Sequence, residues 1–157
     1  MNAISTLSVG ATGLDLLAAL HGQCFDDAWS RSFLARVLAT PGAFAMIGAV
    51  APMTEPAGFL ICRVGGGEGE VLSIGVLPGQ RRRGVARGLL RAGLAKAATF
   101  GADKIYLEVA ADNISAHDLY KGLGFLVVGV RPAYYSRPGG TTVDALVLCR
   151  DLTSTMS

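Results

Sequence analysis

Hydrophobic positions recur at helical spacing in four stretches of this chain and at strand spacing in six. Leu14, Leu17, Ala18 and Cys24 predict a helix over Leu14 to Phe25, and Phe33, Leu34, Val37 and Leu38 predict a second, with Ser30 as its N-cap and Thr40-Pro41-Gly42 as its stop. Ala86, Leu89, Leu90, Gly93, Leu94 and Ala97 form one continuous apolar stripe, so a long helix is expected there. Ala116, Leu119, Tyr120 and Leu123 predict a short fourth helix that Gly124 is placed to end.

The strand-length runs are Ala43 to Ala51, Ala57 to Val64, Glu70 to Val76, Lys104 to Ala110, Phe125 to Val130 and Thr142 to Cys149. The first two, separated by Pro52 and Pro56, read as a hairpin, and Tyr134 to Gly140 reads as an excursion between the last two. In Lys104 to Ala110, Ile105, Leu107 and Val109 point one way and Tyr106 and Glu108 the other. The order is helices, hairpin, strand, helix, strand, helix and two closing strands, a mixed α/β arrangement that does not match a repeated nucleotide-binding βαβαβ series. No repeat or long linker divides it, and residues 1–157 are read as a single domain.

Composition narrows the function classes. Of the 157 residues, 51% are hydrophobic and 17% charged, which suits one sizeable core and excludes a disordered tail. The longest apolar run, Gly42 to Met53, ends after twelve residues, short of the roughly 18 to 20 that a membrane span needs. No signal peptide is read at the start, so a cytoplasmic location without membrane attachment is expected. Cys24, Cys62 and Cys149 are too scattered for a disulfide framework or a metal site, and His21 and His117 read as surface or satisfied polar residues; no metal is expected.

The net charge of +2 does not announce nucleic acid as a direct partner, but the basic residues are unevenly placed. Seven of fourteen lie between Arg81 and Lys104, where Asp103 is the one acid. The densest part, Arg81-Arg82-Arg83-Gly84-Val85-Ala86, falls between a strand end and a helix start, where free backbone N–H groups and the helix dipole favour an anion. A diphosphate suits such a turn, although a solvated helix start with an ordinary arginine run has the same pattern. Neither a Gly-Lys-Ser/Thr ending nor Gly-x-Gly-x-x-Gly is present.

The strand ending Ile74-Gly75-Val76, the turn Arg81-x-x-Gly84-x-Ala86, the strand with Leu107-Glu108-Val109, and the run Asn113-x-x-Ala116-x-x-Leu119-Tyr120-x-x-x-Gly124-Phe125 follow one another in order. Together they resemble the GNAT superfamily of N-acetyltransferases, most closely the RimI group of ribosomal-protein N-terminal alanine acetyltransferases. Trp29-Ser30 and Tyr134-Tyr135 add to the likeness. Two departures fall where the acceptor would sit: no proline precedes Trp29, and Ala133 stands where the group often has Asn.

The resemblance implies a mixed sheet of six to seven strands, splayed between the fourth and fifth and flanked by about four helices. It implies acetyl-CoA as cosubstrate, held by Ile74, Gly75, Val76, the turn Arg81, Arg82, Arg83, Gly84, Val85 and Ala86, and Asn113. It also implies an acyltransferase in which Glu108 is the base and Tyr120 the acid that protonates the departing thiolate, a transfer expected to be favourable, with Glu70 as rival base. Trp29, Tyr134 and Tyr135 would line the acceptor groove. The expected acceptor is a protein N-terminus, such as that of a ribosomal protein; a small-molecule amine, a lysine, or a non-catalytic coenzyme A-binding module are the alternatives. Amine chemistry favours the first, because about 10% of a peptide α-amine is neutral at pH 7 against about 0.04% of a lysine.

Overall fold

A computed structural model describes residues 3–52 and 54–153. Seven strands form one sheet: β1 (Ile4–Ser8), β2 (Ala43–Val50), β3 (Gly58–Gly65), β4 (Glu68–Val76), β5 (Lys104–Ala110), β6 (Leu126–Ser136) and β7 (Thr142–Asp151). The helices are α1 (Leu14–Cys24), α2 (Arg31–Ala39), α3 (Val85–Thr99) and α4 (Ile114–Gly122). Strand order is β1-β2-β3-β4-β5-β7-β6, and every neighbouring pair is antiparallel except the parallel β4–β5. The expected splayed mixed sheet with four helices is therefore present.

Alternation along the strands separates two cores, one on each face of the sheet. Leu60, Cys62 and Val64 of β3 face the stripe Val85, Leu89, Leu90, Leu94 and Ala97 of α3. Phe59 and Ile61, one residue out of phase, face Leu14, Leu17, Leu20 and Leu34 of α1 and α2. Leu17, Leu34, Phe59, Leu60, Ile61 and Leu89 are fully buried, and each such side chain contributes roughly 1.5–3 kcal/mol relative to exposure. Ser30 caps α2 as expected, its hydroxyl accepting from the Phe33 N–H at 3.1 Å.

Three boundaries differ from the sequence reading. The chain does not begin with helices, because β1 pairs along β2 from Ile4↔Val50 to Ser8↔Met46. This edge strand is only five residues long, and its weak apolar alternation carries little signal by itself. β4 begins at Glu68, two residues early, with Glu68 exposed. Tyr134 and Tyr135 are not in an excursion: β6 runs on to Ser136 through an irregularity between Arg131 and Tyr135. At its centre Ala133 takes φ 52, and its N–H donates to the Asp144 carboxylate at 2.8 Å.

Candidate active site

β4 and β5 are paired only from Glu68↔Lys104 to Glu70↔Tyr106. Beyond that point β4 stays with β3 as far as Val76, while β5 stays with β7 as far as Ala110. The facing edges of Val71–Val76 and Leu107–Ala110 thus part and leave backbone N–H and C=O groups without a strand partner. A cavity of about 610 Å³ lies in the gap, walled by Ser73 and Ile74 on one side and by Leu107 to Ala110 on the other.

The β4 end of the gap meets the arginine turn. Arg81 is extended, its Nε donating to the Val76 carbonyl at 3.2 Å; Arg82 has φ 65 and Gly84 φ 85 before α3 begins at Val85. The first intrahelical bond is Gly88 N–H to Gly84 C=O, so the amides of Val85, Ala86 and Arg87 have no helical acceptor. A Cβ at Gly84 would meet open space, so glycine is required there by its left-handed backbone rather than by crowding. Ile74, Gly75, Val76, Arg81, Ala86 and Asn113 all line one cavity of about 370 Å³. Arg82 and Arg83 are exposed beside it, and the Val85 side chain is buried in the core, which leaves its backbone amide as its contribution. Asn113 caps α4, its side-chain oxygen accepting from the Ala116 N–H at 3.3 Å, and it also reaches the cavity in the gap.

Glu108 and Tyr120 both line the cavity between the strands. The Glu108 side chain is 26% exposed and is ion-paired at 2.7 Å to Nε of Arg131. Glu108 also borders a cavity of about 650 Å³ with Arg63, Glu70 and Arg131, making it the one carboxylate common to both. Glu70 is on this second cavity only, 3.8 Å from Arg63. Burial pushes the Tyr120 phenol up to about 12, with a smaller contribution from Tyr135. Tyr135 is itself raised, first by burial and then by the Glu108 charge, so it stands electrostatically between the two.

The proton balance runs opposite to the one expected from the sequence, and burial widens the gap. Moving a proton outright from a phenol at about 12 to a thiolate whose acid has a pKa of about 8.5 is uphill by roughly 5 kcal/mol. The reference phenol, at about 10, is also the weaker acid of the two, so transfer was unfavourable before burial. Tyr120 is instead suited to hold its proton and donate a hydrogen bond to developing negative charge on sulfur.

Trp29 and Tyr135 are on the cavity wall, whereas Tyr134 is exposed outside it, edge-on to Tyr135 and under the Arg131 guanidinium. Three residues at the site carry no functional reading in the sequence, where His21 reads as a surface or satisfied polar residue. His21 is buried and stacks on Trp29; Arg137 closes the far end by a bidentate pair with Asp112 at 2.9 and 3.3 Å; Arg131 holds Glu108. Arg131 and Arg137 lie in no motif, and their pairing with acids 23 and 25 residues away is visible only once β6 packs on β7. His21 did carry a signal, a lone histidine at a buried position of the α1 stripe.

The sequence pattern of the acetyltransferase (GNAT) family matches residues 14–125. The N-alpha-acetyltransferase RimI of Mycobacterium tuberculosis is 39% identical over 85% of this chain and 84% of that protein. An uncharacterised protein of Mycobacterium leprae, ML0378, is 44% identical over 54% of this chain, which spans only 22% of that protein's length. Among solved structures, the ribosomal-protein-S18-alanine N-acetyltransferase of Escherichia coli superposes with a TM-score of 0.85 at 24% identity, covering 97% of this chain and 96% of that one.

Proposed function

The chain belongs to the acetyltransferase (GNAT) family of acyltransferases, and from that premise we propose that it transfers acetyl from acetyl-CoA directly to the N-terminal α-amine of a protein. The observation that carries this reading is the position of Glu108, the carboxylate common to the cavity in the strand gap and to the neighbouring cavity of about 650 Å³. An amine arriving from that neighbouring cavity meets a base at the point where the two spaces join.

The residues present fit acetyl-CoA. The unpaired edge of β4 at Ile74, Gly75 and Val76 offers the alternating donors and acceptors that an extended amide chain needs, and the amides of Gly84 to Ala86 with the Arg81 guanidinium offer an anion site for the diphosphate. Acetyl-CoA supplies the activated thioester. Glu108 takes the proton that makes the amine nucleophilic, directly or through one water, while Arg131 holds one of its carboxylate oxygens and leaves the other for the amine. Tyr120 donates a hydrogen bond to the departing sulfur, and its O–H persists throughout the neutral range.

An α-amine fits this equipment better than a lysine does. Deprotonation at pH 7 costs a lysine about 3.5 kcal/mol more than a peptide N-terminus, and Glu108 is the carboxylate placed between the strands to meet that cost. The N-terminal alanine of a ribosomal protein is the first acceptor to test, with the cytoplasm as the compartment. The deciding experiment is a peptide-array acetylation assay with free N-termini, blocked N-termini carrying lysine, and small amines. Labelling of free N-termini is expected; labelling confined to blocked lysine peptides or to small amines overturns the N-terminal assignment.

A further inference from the structure

Neither Ser73 nor His21 has a part in the chemistry above, yet β4 is bent to bring them together. Cys62 opposes Val71 and Ile61 opposes Ser73, so Leu72 is an extra residue, a β-bulge at the start of the unpaired segment. The bulge puts Leu72 and Ser73 on the same side, toward the α1–α2 layer, where Leu72 packs in that layer's core. Without it, Ser73 would alternate to the α3 face.

His21 meets Ser73 there. The ring is 2% exposed, and burial lowers its pKa, favouring the neutral form. Its Nδ1 accepts the Trp29 backbone N–H at 3.1 Å, which places the ring proton on Nε2, 3.2 Å from the Ser73 hydroxyl oxygen. Ser73 thereby accepts from His21 and keeps its own O–H to donate. Both residues line the cavity that holds Glu108 and Tyr120.

We infer that Ser73 donates a hydrogen bond to the backbone carbonyl of the acceptor's first residue, and that His21 is the positioning residue that orients this hydroxyl. The inference rests on the N-terminal acceptor proposed above. The α1–α2 side is also the side of Trp29 and Phe25, whose rings flank His21 at 4.9 Å each, so one imidazole sets both the hydroxyl and the aromatic wall.

The test is steady-state kinetics with a free-N-terminal peptide, paired with acetyl-CoA calorimetry and with emission from Trp29, the one tryptophan of the chain. Ser73→Ala is expected to raise the acceptor KM about tenfold, the loss of one ordinary hydrogen bond, with acetyl-CoA affinity and Trp29 emission unchanged. Ser73→Thr restores the KM. His21→Phe, which keeps a ring but no nitrogen, raises the KM and also shifts the emission. Turnover with an unaltered KM in Ser73→Ala, or a parallel loss of acetyl-CoA affinity, overturns this inference alone. Absence of turnover on every N-terminal peptide overturns the acceptor reading and this inference with it.

Discussion

The two walls of the cleft are made of different material. The wall assigned to the cosubstrate is mostly backbone: the free edge of β4, the turn at Arg81–Gly84 and the first amides of α3. The wall assigned to the acceptor is mostly side chain, with His21 and Trp29 from the α1–α2 region, Glu108 from β5, Arg131 and Tyr135 from β6, and Arg137 from the turn that follows it. Backbone recognition needs order and spacing but few particular residues, whereas side-chain recognition depends on what each distant segment happens to bring. The first wall is therefore expected to be alike in proteins of this fold, and the second to set which amine is accepted.

The largest effect expected is at Tyr120 of α4, a side chain that lines both the cavity in the gap and the one assigned to the cosubstrate. Tyr120→Phe removes one O–H from a buried side chain, and turnover is expected to fall roughly 100-fold, the scale seen when a single donor to developing charge is lost. Acetyl-CoA affinity measured by calorimetry stays the same, because the ring still packs edge-on to Phe125. Unchanged turnover would remove Tyr120 from the chemistry. Because the phenol sits at about 12, the alkaline limb of the wild-type rate profile does not come from Tyr120 below about pH 11.

The backbone wall breaks through packing instead. A Cβ on Gly75 would come within 2.7 Å of the Phe59 ring and 2.9 Å of Cys24 Cβ, so Gly75→Ala must push β4 off β3 or displace α1. Overpacking of this kind costs about 1–3 kcal/mol. The comparison predicts that acetyl-CoA affinity falls along with the melting temperature, since the displaced segment is the one assigned to hold it. A stable Gly75→Ala variant with normal affinity would mean that β4 does not bind acetyl-CoA through this edge.

The same contrast explains what could be read from the sequence. The strand ends, the Arg81-x-x-Gly84-x-Ala86 turn and the helix stripes are local patterns within one segment, and six residues expected to hold the cosubstrate do line one cavity. β1 is missed because an edge strand of five residues has too short an alternation to stand out. Arg131 and Arg137 are missed because ion pairs across β5, β6 and the loop before α4 have no sequence periodicity at all. Tyr134 and Tyr135 are adjacent in sequence and equal as motif residues, but strand alternation sends one to the cavity and the other to solvent.

His21 gives the acceptor wall a pH dependence that the backbone wall lacks. Its folded pKa is lowered by burial below the ordinary 6.5, so the unfolded chain takes up a proton before the native one does. Stability from the neutral ring is complete above about pH 6.5 and is lost as pH falls from there through the folded pKa. Urea midpoints at pH 7.5 and 5.0, followed by Trp29 emission, are expected to fall more steeply for the wild type than for His21→Gln. Equal slopes would show that protonation of this ring is not linked to folding.

The smallest effect expected separates strain from chemistry. Among the described residues two non-glycine residues take the left-handed region, Arg82 at φ 65 beside the cosubstrate cavity and Ala133 at φ 52 in β6. Alanine has no side-chain polar group to offset that conformation, whereas asparagine tolerates it through local hydrogen bonding. Ala133 is exposed, and only its backbone N–H bonds to the Asp144 carboxylate, so a longer side chain at 133 leaves that bond in place. Ala133→Asn is therefore expected to stabilise the fold by about 0.5–1 kcal/mol, read as a higher urea midpoint at constant slope. An unchanged acceptor KM in that variant would show that alanine is strained there without serving the acceptor, whereas an altered KM would make position 133, two residues before Tyr135, part of the specificity of the acceptor wall.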